Sequence, residues 1–276
     1  MLGKLIKHEF KASGRTMLPF ILVCLGLSVL AGLSTRAMDS QQDYGWFTVI
    51  FGIVIFLFVV GIIAVLVMAL VVCIERFRKN LLGDEGYLMF TLPVSVDTHI
   101  FAKLIVSAVW FVVTWLVCML AVALMLMCNV DKIEVNWADF SFAMGQLWKE
   151  LVDFGVLHIV GYFLEILALC FVTCCVTCLQ FYCAMAIGYS FSNHKVFLSV
   201  VFFFVISVVL SVIQPMWVYL LASIDSIHVL DAPLSGLSNA GSVHVGMLML
   251  LVYLLIHAAV LYIPTRLMLK HRLNLP

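Results

Sequence analysis

Residues 47–73, "FTVIFGIVIFLFVVGIIAVLVMALVVC", form an unbroken apolar run without a charged side chain. A helix needs about 20 residues to cross roughly 30 Å of hydrocarbon, so this run predicts a membrane-spanning helix. Comparable apolar runs recur along the chain at 17–35, 104–127, 154–188, 197–221 and 244–264. The sequence therefore predicts six transmembrane helices.

The composition favours one all-α integral membrane domain over residues 1–276. Of these residues 65% are hydrophobic and 11% are charged, whereas soluble domains carry about 25% charged residues. The runs lack the alternation of barrel strands and leave no room for a separate soluble core. The net charge is zero, and no basic patch contains interleaved aromatics, so we expect no nucleic-acid partner.

The basic residues predict the orientation. Twelve of the 15 Lys and Arg residues lie on the side of the predicted membrane that holds both termini. Because cytoplasmic loops are enriched in Lys and Arg, both termini and residues 76–95 are predicted to be cytoplasmic. The competing interpretation of the first 35 residues is a cleaved signal peptide, but their apolar run is longer than a signal peptide requires.

The N-terminal stretch "MLGKLIKHEFKASGR" is patterned. Leu2, Leu5, Ile6 and Phe10 recur at helical spacing, and the basic residues occupy other faces. This pattern predicts an amphipathic helix lying in the inner membrane interface.

Two segments on the opposite side differ in character. Residues 128–153 combine acidic residues with aromatic ones, including Trp137 and Trp148, and we expect them to be partly ordered against the outer interface. Residues 222–243 are rich in Ser, Gly and Asp and predict a loop.

Glu165 is an acidic residue inside a long apolar run. An intramembrane carboxylate suggests a substrate pathway or a gate. Tyr162, three residues earlier, is a possible partner on the same helix face. The alternative is a structural carboxyl group near the outer end of the span.

A rival interpretation is a membrane-bound redox or haem protein. His158 and His257 lie in different predicted spans and could be paired haem ligands, and Cys175 and Cys178 form a C-x-x-C. The cysteines lie in an apolar run without a basic neighbour to stabilise a thiolate. Isolated histidines in spans more often serve as hydrogen-bonding groups between helices, and no metal site is predicted.

The segment "RFRKNLLGDEGYLMFTLPVS", residues 76–95, interrupts the apolar pattern. Its basic residues Arg76, Arg78 and Lys79 are typical anchors of a span end. The remainder predicts a short helix capped by Asp84, with large apolar side chains that could enter a groove on a partner. The alternative is a solvated connector. The predicted docking residues are Gly83, Asp84, Glu85, Gly86, Tyr87, Leu88, Met89 and Phe90.

The stretches "LIKHEFKASGR" and "RFRKNLLGDEGYLMFTLPVS" resemble the small six-helix permeases of the bacterial ABC-2 type exporter family. The resemblance implies an N-terminal elbow helix at Leu2 to Arg15 and an ATPase-coupling helix at Gly83 to Phe90. It also implies a second permease copy or paralogue, a bacterial cell-membrane location, and ATP and Mg²⁺ bound by a separate ATP-binding cassette subunit. Residues 222–243 depart from the family pattern of re-entrant helices between spans five and six.

No nucleotide, metalloprotease or esterase motif occurs in the sequence. We therefore expect a transport subunit with no catalytic residue or cofactor of its own. The resemblance suggests antimicrobial peptides, lipid-like molecules or drugs as cargo.

Overall fold

The computed structural model describes residues 2–40, 45–83, 86, 95–129, 137–191, 193–226 and 239–271. All regular structure in these ranges is helical, as predicted. A π-helical turn, Arg78–Leu82, directly follows the second helix. Within these ranges the long α-helices are α1 (Leu2–Ser40), α2 (Gly45–Phe77), α3 (Val96–Met127), α4 (Trp137–Phe154), α5 (Val156–Gly188), α6 (Lys195–Ser226) and α7 (Asn239–His271).

Six of these helices, all except α4, contain a stretch long and apolar enough to cross a membrane. Large apolar side chains lie exposed on their surfaces, with Leu22, Phe56 and Phe163 exposed at 66%, 65% and 67%. Proteins in water rarely leave extensive apolar patches uncovered, whereas acyl chains suit such faces. By helix length and hydropathy, the chain is a multi-pass membrane protein, and the predicted set of six spans is confirmed.

The helices α1, α2 and α3 belong to a first compact unit, Met1–Arg76 and Thr98–Met144. Small residues bring its helices close together. A Cβ atom added at Gly32 would lie 2.8 Å from Cβ of Cys128. The side chain of Asn129 also donates a 2.7 Å hydrogen bond to Oγ1 of Thr35. The buried apolar core of this unit includes Met17, Cys24, Val65, Ala69 and Trp110.

The helices α5, α6 and α7 belong to a second unit, Phe77–Asp97 and Gly145–Pro276. Within it α5 packs against both α6 and α7. Phe181 stacks on Phe203 with ring centroids 4.6 Å apart. A Cβ atom at Gly188 would lie 2.5 Å from the backbone nitrogen of Ser199, so only glycine allows the close approach where α5 meets α6.

The sequence prediction of a separate interfacial helix at 2–15 is corrected, because α1 continues unbroken from Leu2 to Ser40. Gly14 does not adopt the positive φ that ends many helices, so nothing separates the elbow from the span. Leu2 and Phe10 are exposed, although the Phe10 ring stacks on Trp110 of α3, and Leu5 and Ile6 are half-buried. The buried face of the same stretch carries Glu9 and Ser13.

The two outer segments also differ from the sequence prediction in extent. The expected ordering within 128–153 takes the form of α4, Trp137–Phe154. The expected loop at 222–243 is too long, because α6 continues to Ser226 and α7 begins at Asn239. The remaining residues, 227–238, lie outside the described part of the chain.

Candidate functional site

One face of α5 carries His158, Gly161, Tyr162 and Glu165. Their spacing is that of a single stripe along a helix, and in the second unit this stripe meets His244 of α7. Nδ1 of His244 lies 2.8 Å from Oε1 of Glu165. Nε2 of the same ring lies 3.1 Å from Nδ1 of His158. His244 therefore bridges a carboxylate and a second imidazole.

The surroundings of His244 fit its ring closely. A Cβ atom at Gly161 would lie 2.9 Å from Cε1 of His244, so the glycine leaves the space that the imidazole occupies. The Tyr162 ring stacks on the His244 ring, with centroids 4.2 Å apart. The side chains of His244 and Glu165 are 20% and 21% exposed. Oε2 of Glu165 is buried, and no hydrogen-bond partner for it occurs in the described residues.

The sequence analysis identified Glu165 and Tyr162 but missed His244. Tyr162 stacks on His244, and it is His244 that bonds the Glu165 carboxylate. His244 and His158 lie 86 residues apart in the chain. In the sequence, His244 is visible only as a histidine near the start of an apolar run. Its neighbours cannot be assigned without knowing that α5 packs against α7.

The pairing of His158 with His257 as ligands of one haem is wrong. His158 lies beside His244, and thirteen residues along α7 separate His244 from His257. At helical rise this corresponds to about 20 Å, which is too far for axial ligands of one iron. His257 instead contacts Tyr253 edge to face, with centroids 5.9 Å apart.

Two further observations concern thiol chemistry and metal binding. Cys175 and Cys178 are buried in α5 and are not joined in a disulfide. Among the residues that the structure describes, no group of three or more His, Cys, Asp and Glu side chains could hold a metal ion.

The first unit contains a buried ion pair that the sequence analysis also missed. Nζ of Lys103 lies 2.6 Å from Oε1 of Glu9, and their side chains are 1% and 8% exposed. Nη1 of Arg76 lies 4.0 Å from the other carboxylate oxygen. In the sequence, Lys103 contributes only to the count of basic residues that predicts the orientation. Its position beside Glu9 depends on the packing of α1 against α3.

The segment between α2 and α3 is held at its start by apolar contacts. The Phe77 ring stacks on Tyr182 of α5, with centroids 4.0 Å apart. Leu81 and Leu82 are buried in the π-helical turn that follows. The backbone N–H of Gly86 donates a 2.8 Å hydrogen bond to the carbonyl of Gly83. The other predicted docking residues, Asp84, Glu85 and 87–90, lie outside the described residues.

The same segment is held at its end by polar contacts. Nε of Arg266 lies 2.7 Å from Oδ1 of Asp97, and Nη2 lies 3.0 Å from Oδ2. The Tyr262 hydroxyl also donates to Asp97. Because Tyr262 and Arg266 belong to α7, the two ends of the segment are attached to α5 and α7 of the second unit.

Comparisons with protein-family models, with curated proteins and with solved structures gave no match.

Proposed function

We propose that the chain is the membrane subunit of an ATP-driven ABC exporter. Two such subunits, identical or paralogous, would form the substrate pathway, and two separate ATPase subunits would bind ATP and Mg²⁺. The proposal rests on the segment between α2 and α3. Its sequence resembles the ATPase-coupling segment of ABC-2 permeases, and its two ends are attached to membrane helices of the second unit.

Through these two contacts, a movement of the docked segment would be transmitted to the membrane helices. Phe77 and Tyr182 are both fully buried, so displacement of the segment start moves α5. At the segment end, the paired hydrogen bonds between Asp97 and Arg266 join it to α7. Closure of the ATPases on ATP would thus be transmitted to α5 and α7 and would favour one of two arrangements of the spans.

The cargo in this proposal is amphipathic. A pathway built from six apolar helices suits peptides, lipid-like molecules or drugs with both an apolar and a polar part. Glu165 and Tyr162 are the proposed pathway or gate residues, because a carboxylate inside a span marks pathways in many membrane proteins. His244 joins them as the group that fixes the carboxylate.

Reconstitution in lipid vesicles tests the proposal. The purified chain alone should hydrolyse no ATP, because its sequence has no phosphate-binding loop. Addition of an ABC-type ATPase from the same cell should give ATP hydrolysis and ATP-dependent movement of a fluorescent amphipathic peptide. A matched sample with a Walker-lysine variant of that ATPase should show neither. Hydrolysis by the isolated chain, or the absence of transport with every ABC ATPase of that cell, would refute the exporter assignment.

A further inference from the structure

With Glu165 ionised and both imidazoles neutral, the contacts around His244 assign the hydrogens in the row His158, His244 and Glu165. A carboxylate only accepts hydrogen bonds, so Nδ1 of His244 carries the hydrogen toward Glu165. In a neutral ring the other nitrogen, Nε2, is then an acceptor, and the hydrogen in the 3.1 Å contact belongs to Nδ1 of His158. Both imidazoles therefore rest in the Nδ1–H tautomer, and Nε2 is the basic nitrogen of His158.

We propose that His158, His244 and Glu165 form a proton relay that ends in a proton-binding site at Glu165. A proton is taken up at Nε2 of His158, and the Nδ1 proton of that ring passes to Nε2 of His244. The Nδ1 proton of His244 then passes to Oε1 of Glu165. One proton is gained, both rings end neutral in the Nε2–H tautomer, and the net charge of the row changes from −1 to zero.

The existing distances suit this transfer. Both hydrogen bonds of the row, 3.1 Å and 2.8 Å, persist after the transfer with donor and acceptor exchanged, so no heavy atom has to move. Gly161 leaves room for the His244 ring, and Tyr162 stacks on it. Chains of His and acidic residues in membrane spans are a recognised arrangement for proton transfer.

Few other ionisable groups bear on the row. On α5 the neighbouring titratable group is the Tyr162 hydroxyl. On α7 the ionisable residue at this position is His244, which is a member of the row. α6, the other helix packed on α5, carries one acidic residue, Asp225, near its C-terminal end. Because α6 runs antiparallel to α5, with Ser207 beside Gln180, the Asp225 position lies near the level of the row.

A divalent metal is the competing occupant. A site that keeps a zinc ion usually supplies three or four protein ligands. In the described part of the chain only two ring nitrogens, Nδ1 of His158 and Nε2 of His244, face each other where a metal could bind. The Glu165 carboxylate contacts the other ring nitrogen of His244, Nδ1. The observations favour a proton.

The test is infrared and ¹⁵N-histidine NMR spectroscopy of the full chain in lipid nanodiscs after a jump from about pH 8 to about pH 5, the range in which histidines ordinarily titrate. Acidification should produce a carboxylic-acid carbonyl band that Glu165→Gln removes. The NMR signals of His158 and His244 should change from the Nδ1–H to the Nε2–H tautomer. Glu165→Gln keeps the acceptor for His244, so it should fold normally.

The relay itself is tested by the rate at which the carbonyl band appears. His158→Gln should slow it at least about tenfold, because positioned proton transfer commonly contributes more than that. His257→Gln, on the same helix as His244 but outside the row, should leave the carbonyl band and its rate of appearance unchanged. The proposal is overturned if no band appears, if the tautomers do not change, or if His158→Gln keeps the wild-type rate. Stoichiometric Zn²⁺ binding that His158→Gln and His244→Gln abolish would also overturn it. The measurement needs no ATPase or cargo, so its outcome is separate from that of the exporter proposal.

Discussion

Glu9 and Lys103 illustrate how a membrane protein buries charge near the end of a span. Both side chains are almost fully buried. The 2.6 Å ion pair between them compensates for the hydration that each charge loses on burial. The 2.8 Å hydrogen bond from Nε1 of Trp110 to Oγ of Ser13 lies one helical turn further along the same face of α1. This polar face joins α1 to α3, and the exposed Lys11 lies on the opposite face of the helix.

Lys103→Met should destabilise the protein by about 3–5 kcal/mol, because it leaves the Glu9 carboxylate buried without its main cation. The double variant Glu9→Gln with Lys103→Met should recover much of that loss, since no charge then remains unpaired. Lys11→Met, an exposed residue of α1, is the control and should change the free energy of unfolding by less than about 0.5 kcal/mol. Denaturant unfolding in mixed micelles measures all three. Equal stability of Lys103→Met and the control would show that the ion pair is unimportant.

At the scale of elements, the segment between α2 and α3 depends on attachments at its two ends. Asp97→Asn should keep the fold, because a partly exposed ion pair contributes at most about 1 kcal/mol, and Asp97 and Arg266 are 33% and 49% exposed. The same change should reduce cargo-stimulated ATP hydrolysis by the assembled complex, because it removes the ion pair with Arg266 and leaves only neutral acceptors to hold the segment end to α7. Asp139→Asn on α4 is the matched control. Wild-type stimulation in Asp97→Asn would show that this attachment transmits nothing.

The elements differ in how far the sequence could predict them. The six spans follow from the length and hydropathy of local runs, and the structure confirms them. The ion pair and the histidine row could not be predicted, because their members lie 94 and 86 residues apart. Their contacts depend on which helices pack together and in what rotation. The break after residue 15 was wrong because amphipathic and apolar stretches can share one continuous helix.

At the scale of the whole molecule, the central claim is that an apolar six-span chain is driven by a separate ATPase that docks on residues 83–90. Tyr87 and Phe90 are the large aromatic side chains predicted to enter the partner. A few such anchors usually dominate an interface, and each is worth about 2 kcal/mol or more. Arg78 lies in the π-helical turn before them and is predicted to anchor the span end.

The amount of ATPase that co-purifies per permease tests this claim most directly. It should be measured for the wild type, for Tyr87→Ala combined with Phe90→Ala, and for Arg78→Ala, in membranes where all three insert with equal yield and topology. The double variant should weaken ATPase binding by roughly a hundredfold or more, while Arg78→Ala should stay close to the wild type. Undiminished ATPase binding and transport in the double variant would contradict the account and would leave residues 83–90 a simple connector.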